Sequence, residues 1–225
     1  PYTTLFRSGI TVYNAGGVYS APMAEFVLGG ILQLYKESKF FAENQAAHRW
    51  EKHRGLRELS GKTACIIGTG SVGSAIARRL RAFDVQTVGI NRSGHPAAEF
   101  DQTQPTCRLD DLLPLADLVS CAMPLTAETA GLFDSVRLAK IKPGAVFVNV
   151  ARGKVTDQQA LVEALQSGQL SGAVLDVFEE EPLPRSSPLW DMEQVILTPH
   201  NSFVGEHNGE RLFRLFCKNL ESFAQ

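Results

Sequence analysis

Thr63-Ala64-Cys65-Ile66-Ile67-Gly68-Thr69-Gly70-Ser71-Val72-Gly73 decides how the rest of the chain is read. Ala64 to Ile67 is a short apolar run that fits a strand buried on both faces. It leads directly into Gly68-x-Gly70-x-x-Gly73, after which Ser74 to Leu80 takes up helical spacing. Strand, glycine turn and helix in that order are what a dinucleotide site requires. The first glycine makes the tight turn and the second lets backbone N–H groups approach a pyrophosphate. The third lets helix and strand pack closely, with the anion at the helix N-terminus.

Working outward, the same alternation continues. Gln86–Ile90 reads as a second strand with Asn91-Arg92-Ser93-Gly94 at its tip, followed by a polar stretch to Arg108. A helix at 110–115, a strand at 118–122, a mostly helical 126–139 and a strand at 145–150 come next. A helix at 157–166 stops at Gly168, strands follow at 173–177 and 195–198, and a last helix begins near Gly209. Alternating strands and helices predict an α/β fold with a doubly wound parallel sheet of the Rossmann type. Upstream, Ile10–Tyr13 reads as a strand, and Ser20 as the cap of one long helix running to about His48, with Pro22 in its first turn. Met23, Phe26, Val27, Gly30, Ile31 and Leu34 form its apolar stripe.

Five segments follow. Residues 1–8 resemble the translation of a sequencing adapter and read as non-native. Residues 9–20 read as the remnant of a substrate domain, 21–60 as a connecting helix and linker, 61–205 as the dinucleotide-binding domain, and 206–225 as a helix leading back toward the other domain.

Composition narrows the function class. A hydrophobic content of 44% and a net charge of −2 give no basic surplus for nucleic acid or an anionic membrane. The longest apolar stretch, 26–34, is too short to span a bilayer. Four cysteines without metal-type spacing, two of them in apolar strands, read as reduced core residues of a cytoplasmic protein.

Arg152, Glu181 and His200 each fall just past one of three successive expected strands. Ligands of open α/β sheets bind along that edge. Taken singly, each is more often a solvated arginine, one charge of an acidic loop or a helix cap. Sharing one edge, they become a group able to bind a carboxylate, tune a base and move a proton.

At this point the chain resembles the D-isomer-specific 2-hydroxyacid dehydrogenases. The resemblance rests on Asn14…Ala24-Glu25, Gly68-x-Gly70-x-x-Gly73, Pro124-Leu125-Thr126-x-x-Thr129 and Asn149 to Gly153. It continues through Asp176 to Pro182 and Thr198-Pro199-His200. It implies hydride transfer between NAD(P)H and a small 2-keto or 2-hydroxy acid. Arg152 would hold the substrate carboxylate and carbonyl oxygen. His200 would be the general acid in reduction, with Glu181 hydrogen-bonded to it and stabilising its protonated form. Gly68 and Gly70-Ser71-Val72-Gly73 would hold the pyrophosphate. Pro124, Thr129, Val150 and Ala151 would line the cofactor cleft, and Asp176 would bind the nicotinamide carboxamide. The family's substrate lobe would lie before Ile10 and after the final helix.

One departure matters. NAD enzymes place Asp or Glu on the ribose 2′-OH at the tip of the second strand. Here that position is Asn91, followed by Arg92 and Ser93, which favours NADP(H) over NAD(H). The resemblance also implies a homodimer through the 20–48 helix. Two other readings compete. One is an NAD(H)-sensing corepressor of the same fold, or a fragment that only binds the cofactor. The other is a short-chain reductase, suggested by Tyr35-x-x-x-Lys39 but set aside because that pair precedes the glycine motif.

Overall fold

The computed structural model describes residues 11–223. Seven parallel strands form one sheet in the order β3-β2-β1-β4-β5-β6-β7. Their ranges are β1 Thr63–Ile67, β2 Gln86–Asn91, β3 Gln102–Pro105, β4 Leu118–Cys121, β5 Ala145–Asn149, β6 Leu170–Leu175 and β7 Val195–Leu197. The order runs outward from β1 in both directions. The point where it reverses, between β1 and β4, opens a crevice at the carboxyl ends of the strands. This is the doubly wound α/β fold expected from the sequence.

The central strands are apolar throughout because helices cover both faces. Every residue of β5 is buried. Two apolar clusters form, one on each side of the sheet. Phe133 and Phe147 meet edge to face at 5.1 Å in one of them. Burial of each such ring contributes on the order of 2–3 kcal/mol. Cys65 and Cys121 lie buried as expected, and burial pushes the Cys65 thiol up to about 12. Among the described residues no helix is long and apolar enough to cross a membrane.

The helices are α1 Ser20–Tyr35, α2 Ser38–Ala46, α3 Ser71–Arg81, α4 Leu109–Leu112, α5 Ser135–Lys140, α6 Gln158–Gln166 and α7 Asn208–Phe223. Several depart from the sequence reading. Ser20 is the first helical residue rather than the cap, which is Tyr19. The single helix to His48 is two helices, broken where Glu37 takes the left-handed conformation (φ 51°). That conformation costs a non-glycine residue roughly 1–2 kcal/mol. Tertiary contacts offset it. Lys36 Nζ donates to the Arg57 carbonyl at 2.7 Å, and Lys39 Nζ donates to the carbonyls of Glu193 and Val195 at 3.0 and 2.9 Å. Lys39 therefore fastens α2 to the first end of β7.

Within residues 126–139 a turn occupies 127–131, and α5 is confined to Ser135–Lys140 and capped by the Asp134 carboxylate. The expected strand at 10–13 is not formed at Thr11–Tyr13, and Ile10 lies outside the described residues, as does the adapter-like segment 1–8. β6 begins three residues earlier than expected. β3 hides in the polar stretch because it is an edge strand, paired only with β2, and Gln-Thr-Gln-Pro has no apolar face to announce it.

Candidate active site and cofactor cleft

The glycine loop is shaped for close approach. A Cβ on Gly73 would lie 1.8 Å from the Gly68 carbonyl oxygen, so α3 can sit this near β1 only with glycine there. Gly70 precedes α3, and no atom lies within 4 Å of where its Cβ would be. The first turn of α3 carries no side-chain cap and no acidic residue. Open space above unpaired helix N–H groups is the arrangement a pyrophosphate needs, so the residues present fit a dinucleotide.

At the tip of β2, Asn91 is committed to its own turn. Its Oδ1 accepts from the Ser93 and Gly94 amides at 3.2 and 2.6 Å. Its Nδ2 donates to Thr69 Oγ1 at 3.1 Å and to the His95 carbonyl at 2.9 Å. Asn91 thus ties the tip to the glycine loop, while Arg92 and Ser93 stand exposed. Facing them is a residue the sequence reading passed over. Glu128 is held by the Thr126 hydroxyl at 2.6 Å. That hydrogen bond, with a smaller contribution from the Arg92 charge, lowers its carboxyl below the ordinary value. Thr129 spends its hydroxyl within the same turn, donating to the Pro124 carbonyl at 2.8 Å and accepting from the Thr126 amide at 2.7 Å.

Three loops leave the sheet at β5, β6 and β7, and each is locked from beneath. After β5, buried Asn149 accepts from the Ala151 amide at 3.0 Å and donates to the Arg152 carbonyl at 3.1 Å. Gly153 then presses on the next loop: a Cβ there would meet the Phe178 carbonyl oxygen at 1.8 Å. After β6, the Asp176 carboxylate is 1% exposed and gathers the turn that follows β7. Its Oδ1 accepts from the Thr198 hydroxyl and from the Asn201 amide at 2.7 Å, and its Oδ2 from the Ser202 amide at 2.9 Å. The Asp176 carbonyl accepts from the His200 amide at 2.9 Å. Between these anchors His200 adopts φ 52°, a strained conformation of the kind concentrated at functional sites.

His200 Nδ1 lies 2.8 Å from Glu181 Oε2, and Glu181 Oε1 accepts from the Phe178 amide at 3.0 Å. Burial acts to raise the Glu181 carboxyl. The hydrogen bonds from His200 and Phe178, with the charges of His200 and Arg152, outweigh burial and hold it below the ordinary range. With Nδ1 engaged, Nε2 is left for the crevice. A cavity of about 490 Å³ there is lined by Arg152 and His200, together with Val72, Pro124, Val150 and Ala151. The structure thus brings Arg152, Glu181 and His200 together. The Asp176 carboxylate points into the turn beneath them. Tyr35 and Lys39 lie elsewhere: Tyr35 is buried under the Arg57 guanidinium, 4.2 Å from its ring centroid.

An uncapped glycine loop at the switch point of a parallel sheet, beside an arginine and a histidine–carboxylate pair, defines a nucleotide-dependent oxidoreductase domain. Residues 28–202 match the model of the D-isomer specific 2-hydroxyacid dehydrogenase, NAD binding domain. The chain belongs to that family and comprises its NAD-binding domain. It is 38% identical to a glyoxylate reductase of Thermofilum pendens over 95% of its own length and 65% of the relative's. It is 33% identical to a phosphoglycerate dehydrogenase of Lactobacillus plantarum, with a TM-score of 0.81 over 100% of this chain and 73% of that one. A D-isomer specific 2-hydroxyacid dehydrogenase of Xanthobacter autotrophicus Py2, solved with NADPH and MES, is 35% identical. Its TM-score is 0.76, over 85% of this chain and 60% of that one. The chain thus spans about two thirds of the length of such relatives.

Proposed function

We propose that this domain serves a reductase that passes a hydride from NADP(H) to a small 2-keto acid, forming a D-2-hydroxy acid. The observation that carries this reading is the 2.8 Å contact of His200 Nδ1 with Glu181, in the crevice that Arg152 also lines. The nicotinamide supplies the hydride. Arg152 binds the substrate carboxylate and carbonyl oxygen through its two-pronged fork and stabilises charge developing on that oxygen. His200 donates the proton to the same oxygen from Nε2, while Glu181 fixes the ring and balances its charge. Gly68, Gly70, Ser71, Val72 and Gly73 hold the pyrophosphate. Pro124, Val150 and Ala151 line the cleft, with Thr129 shaping its turn. Asp176 sets the His200 turn and borders the carboxamide end. The corepressor alternative is not favoured by the relatives, which are named as reductases and dehydrogenases.

Arg92 supports the choice of cofactor. It is exposed at the tip of β2, where an acidic residue would repel a 2′-phosphate. A charged hydrogen bond contributes on the order of 1.5–3 kcal/mol, so roughly a tenfold or greater preference for NADPH is expected. Fluorescence titration of the chain with both reduced cofactors tests it. Equal or tighter NADH binding would overturn the assignment, and Arg92→Ala should erase the preference.

The reading includes a homodimer and a cytoplasmic location, the latter supported by four unpaired cysteines. Within the 20–48 region that the homodimer reading uses, Val27, Ile31 and Leu34 of α1 are buried in the chain's own core. The exposed apolar groups lie further on, at Phe41, Trp50 and Leu56, in α2 and the arm 47–58 that follows it.

A further inference from the structure

The Asp176 carboxylate holds the turn after β7 only as far as Ser202. The next residue, Phe203, is 41% exposed, yet its ring does not stand alone. It meets the His200 ring edge to face at 6.2 Å and the Tyr19 ring edge to face at 5.8 Å. All three residues line the crevice that Arg152 also lines. Behind this aromatic row runs a chain of hydrogen bonds that neither the cofactor nor the proton transfer uses. Arg211 of α7 donates from Nε to the Val18 carbonyl at 2.8 Å and from Nη2 to Asn208 Oδ1 at 2.8 Å. Asn208 Nδ2 in turn donates to the Phe203 carbonyl at 2.8 Å. One end of the chain therefore falls on the residue before Tyr19, and the other on Phe203 itself.

We propose that Asn208 and Arg211 are positioning residues for His200. They clasp the segments that carry Tyr19 and Phe203 at a fixed spacing, and so hold the Phe203 ring against the imidazole. The proposal rests on the proton-donating role given to His200 above and deepens it.

Three observations carry it. The first is connectivity. Val18 and Arg211 are 193 residues apart, so tertiary contact and not local geometry sets the spacing of the two segments. The approach is close: a Cβ on Gly205 would stand 3.0 Å from Pro22 Cβ and 3.2 Å from Arg211 Nη2. The second is the choice of side chain. Asn208 accepts from Arg211 through one atom of its amide and donates to the Phe203 carbonyl through the other. A carboxylate of the same shape would keep the first bond and lose the second. The third is what the imidazole needs. While His200 is protonated, its bond to Glu181 is charge-assisted. Once the Nε2 proton has passed to the substrate oxygen, the ring is neutral and the Nδ1–H bond to Glu181 is an ordinary one, roughly half as strong. The aromatic contact persists through both states and keeps the ring aimed at the crevice.

Histidine-labelled chain makes the clasp directly readable by NMR. The His200 ring resonances, assigned by their loss in His200→Gln, should be displaced by the neighbouring Phe203 ring, and Phe203→Leu should return them toward those of a free imidazole. Asn208→Asp, which keeps the acceptor for Arg211 but not the donor to Phe203, should move them the same way. Arg211→Gln should do so too, with NADPH affinity unchanged in both. In an enzyme completed by its substrate lobe, Asn208→Asp should lower kcat roughly tenfold at unchanged KM for NADPH. It should lower kcat no further where Phe203→Leu is already present. Resonances that stay in place in Asn208→Asp and Arg211→Gln overturn the proposal. So does a loss of kcat that adds in full to that of Phe203→Leu. Unaltered kcat in His200→Gln overturns instead the role given to His200, while the resonances still report whether the clasp holds its ring.

Discussion

The loops of the carboxyl edge and the arm that follows α2 are built from similar polar residues, yet they end in opposite states. At the edge every anchoring group is satisfied. Buried Asn149 accepts from the Ala151 amide and donates to the Arg152 carbonyl, and buried Asp176 accepts from the Thr198 hydroxyl before His200 and from the Asn201 and Ser202 amides after it. In the arm region Asn44 is 3% exposed, and neither atom of its amide has a partner. Trp50, a few residues on, packs against nothing in its own chain. A buried amide without partners costs about 1–3 kcal/mol, and evolved interiors rarely leave one so. The difference separates a region finished by one chain from a region whose sequence suits more contacts than one chain supplies. α7 belongs with the second kind: Leu212, Phe213, Phe216 and Leu220 are exposed along it.

The largest expected effect tests whether the finished edge does the chemistry. In an enzyme completed by its substrate lobe, Arg152→Ala should lower kcat/KM by about 3–6 kcal/mol of transition-state stabilisation, from two charge-assisted hydrogen bonds at 1.5–3 each. Unchanged turnover would remove the proposed substrate role.

Next comes the anchor itself. Asp176→Ala orphans the Thr198 hydroxyl and the Asn201 and Ser202 amides. A loss of about 3–5 kcal/mol in urea unfolding is expected. α2, next to the arm, supplies the other side of the comparison: Asn44→Leu removes an unsatisfied amide and should leave the isolated chain as stable or about 1–2 kcal/mol more stable. If Asn44→Leu destabilised the chain as Asp176→Ala does, the contrast would collapse.

A gentler probe is pH. Asp117 accepts from the Thr63 amide at 3.0 Å and the Lys142 ammonium at 2.8 Å. Burial opposes its ionisation, but these bonds with the Lys142 and Lys62 charges prevail and its carboxyl is lowered from 3.8. A depressed folded-state value means stability fully present above the ordinary carboxylate range and lost as pH falls through the lower folded value. The unfolding midpoint should therefore drop between pH 5 and the acid limit, and Asp117→Asn should flatten that drop while lowering stability at pH 7.

The smallest effect lies across the cofactor cleft. If Glu128 offsets the Arg92 charge, Glu128→Gln should tighten NADPH about twofold, the scale of an exposed charge pair, and leave NADH unchanged. Equal changes for both cofactors would show that Glu128 acts on the turn and not on Arg92.

How much of this was legible beforehand depended on the kind of signal each residue carries. The glycine loop was readable because close approach admits one residue type, and the five strands from β1 through β6 other than β3 because apolar runs advertise burial on both faces. Arg152, Glu181 and His200 were readable as strand-end residues. Asn149 and Gly153 appeared only as letters of motifs, and Asp176 only as the carboxamide ligand the resemblance implies; for Gly153 and Asp176 the structural reason lies in a loop distant in sequence. Gly153 answers to Phe178, and Asp176 to residues 198–202.

The sequence alone thus determined the parallel sheet, the nucleotide loop and the edge on which the chemistry-bearing residues fall, because these follow from local periodicity and chain order. Tertiary structure decided where α1 ends, that 102–105 is a strand, which side chains hold the site still and which face is left open. Those outcomes depend on long-range contacts, such as Lys39 with the start of β7, that no local pattern encodes.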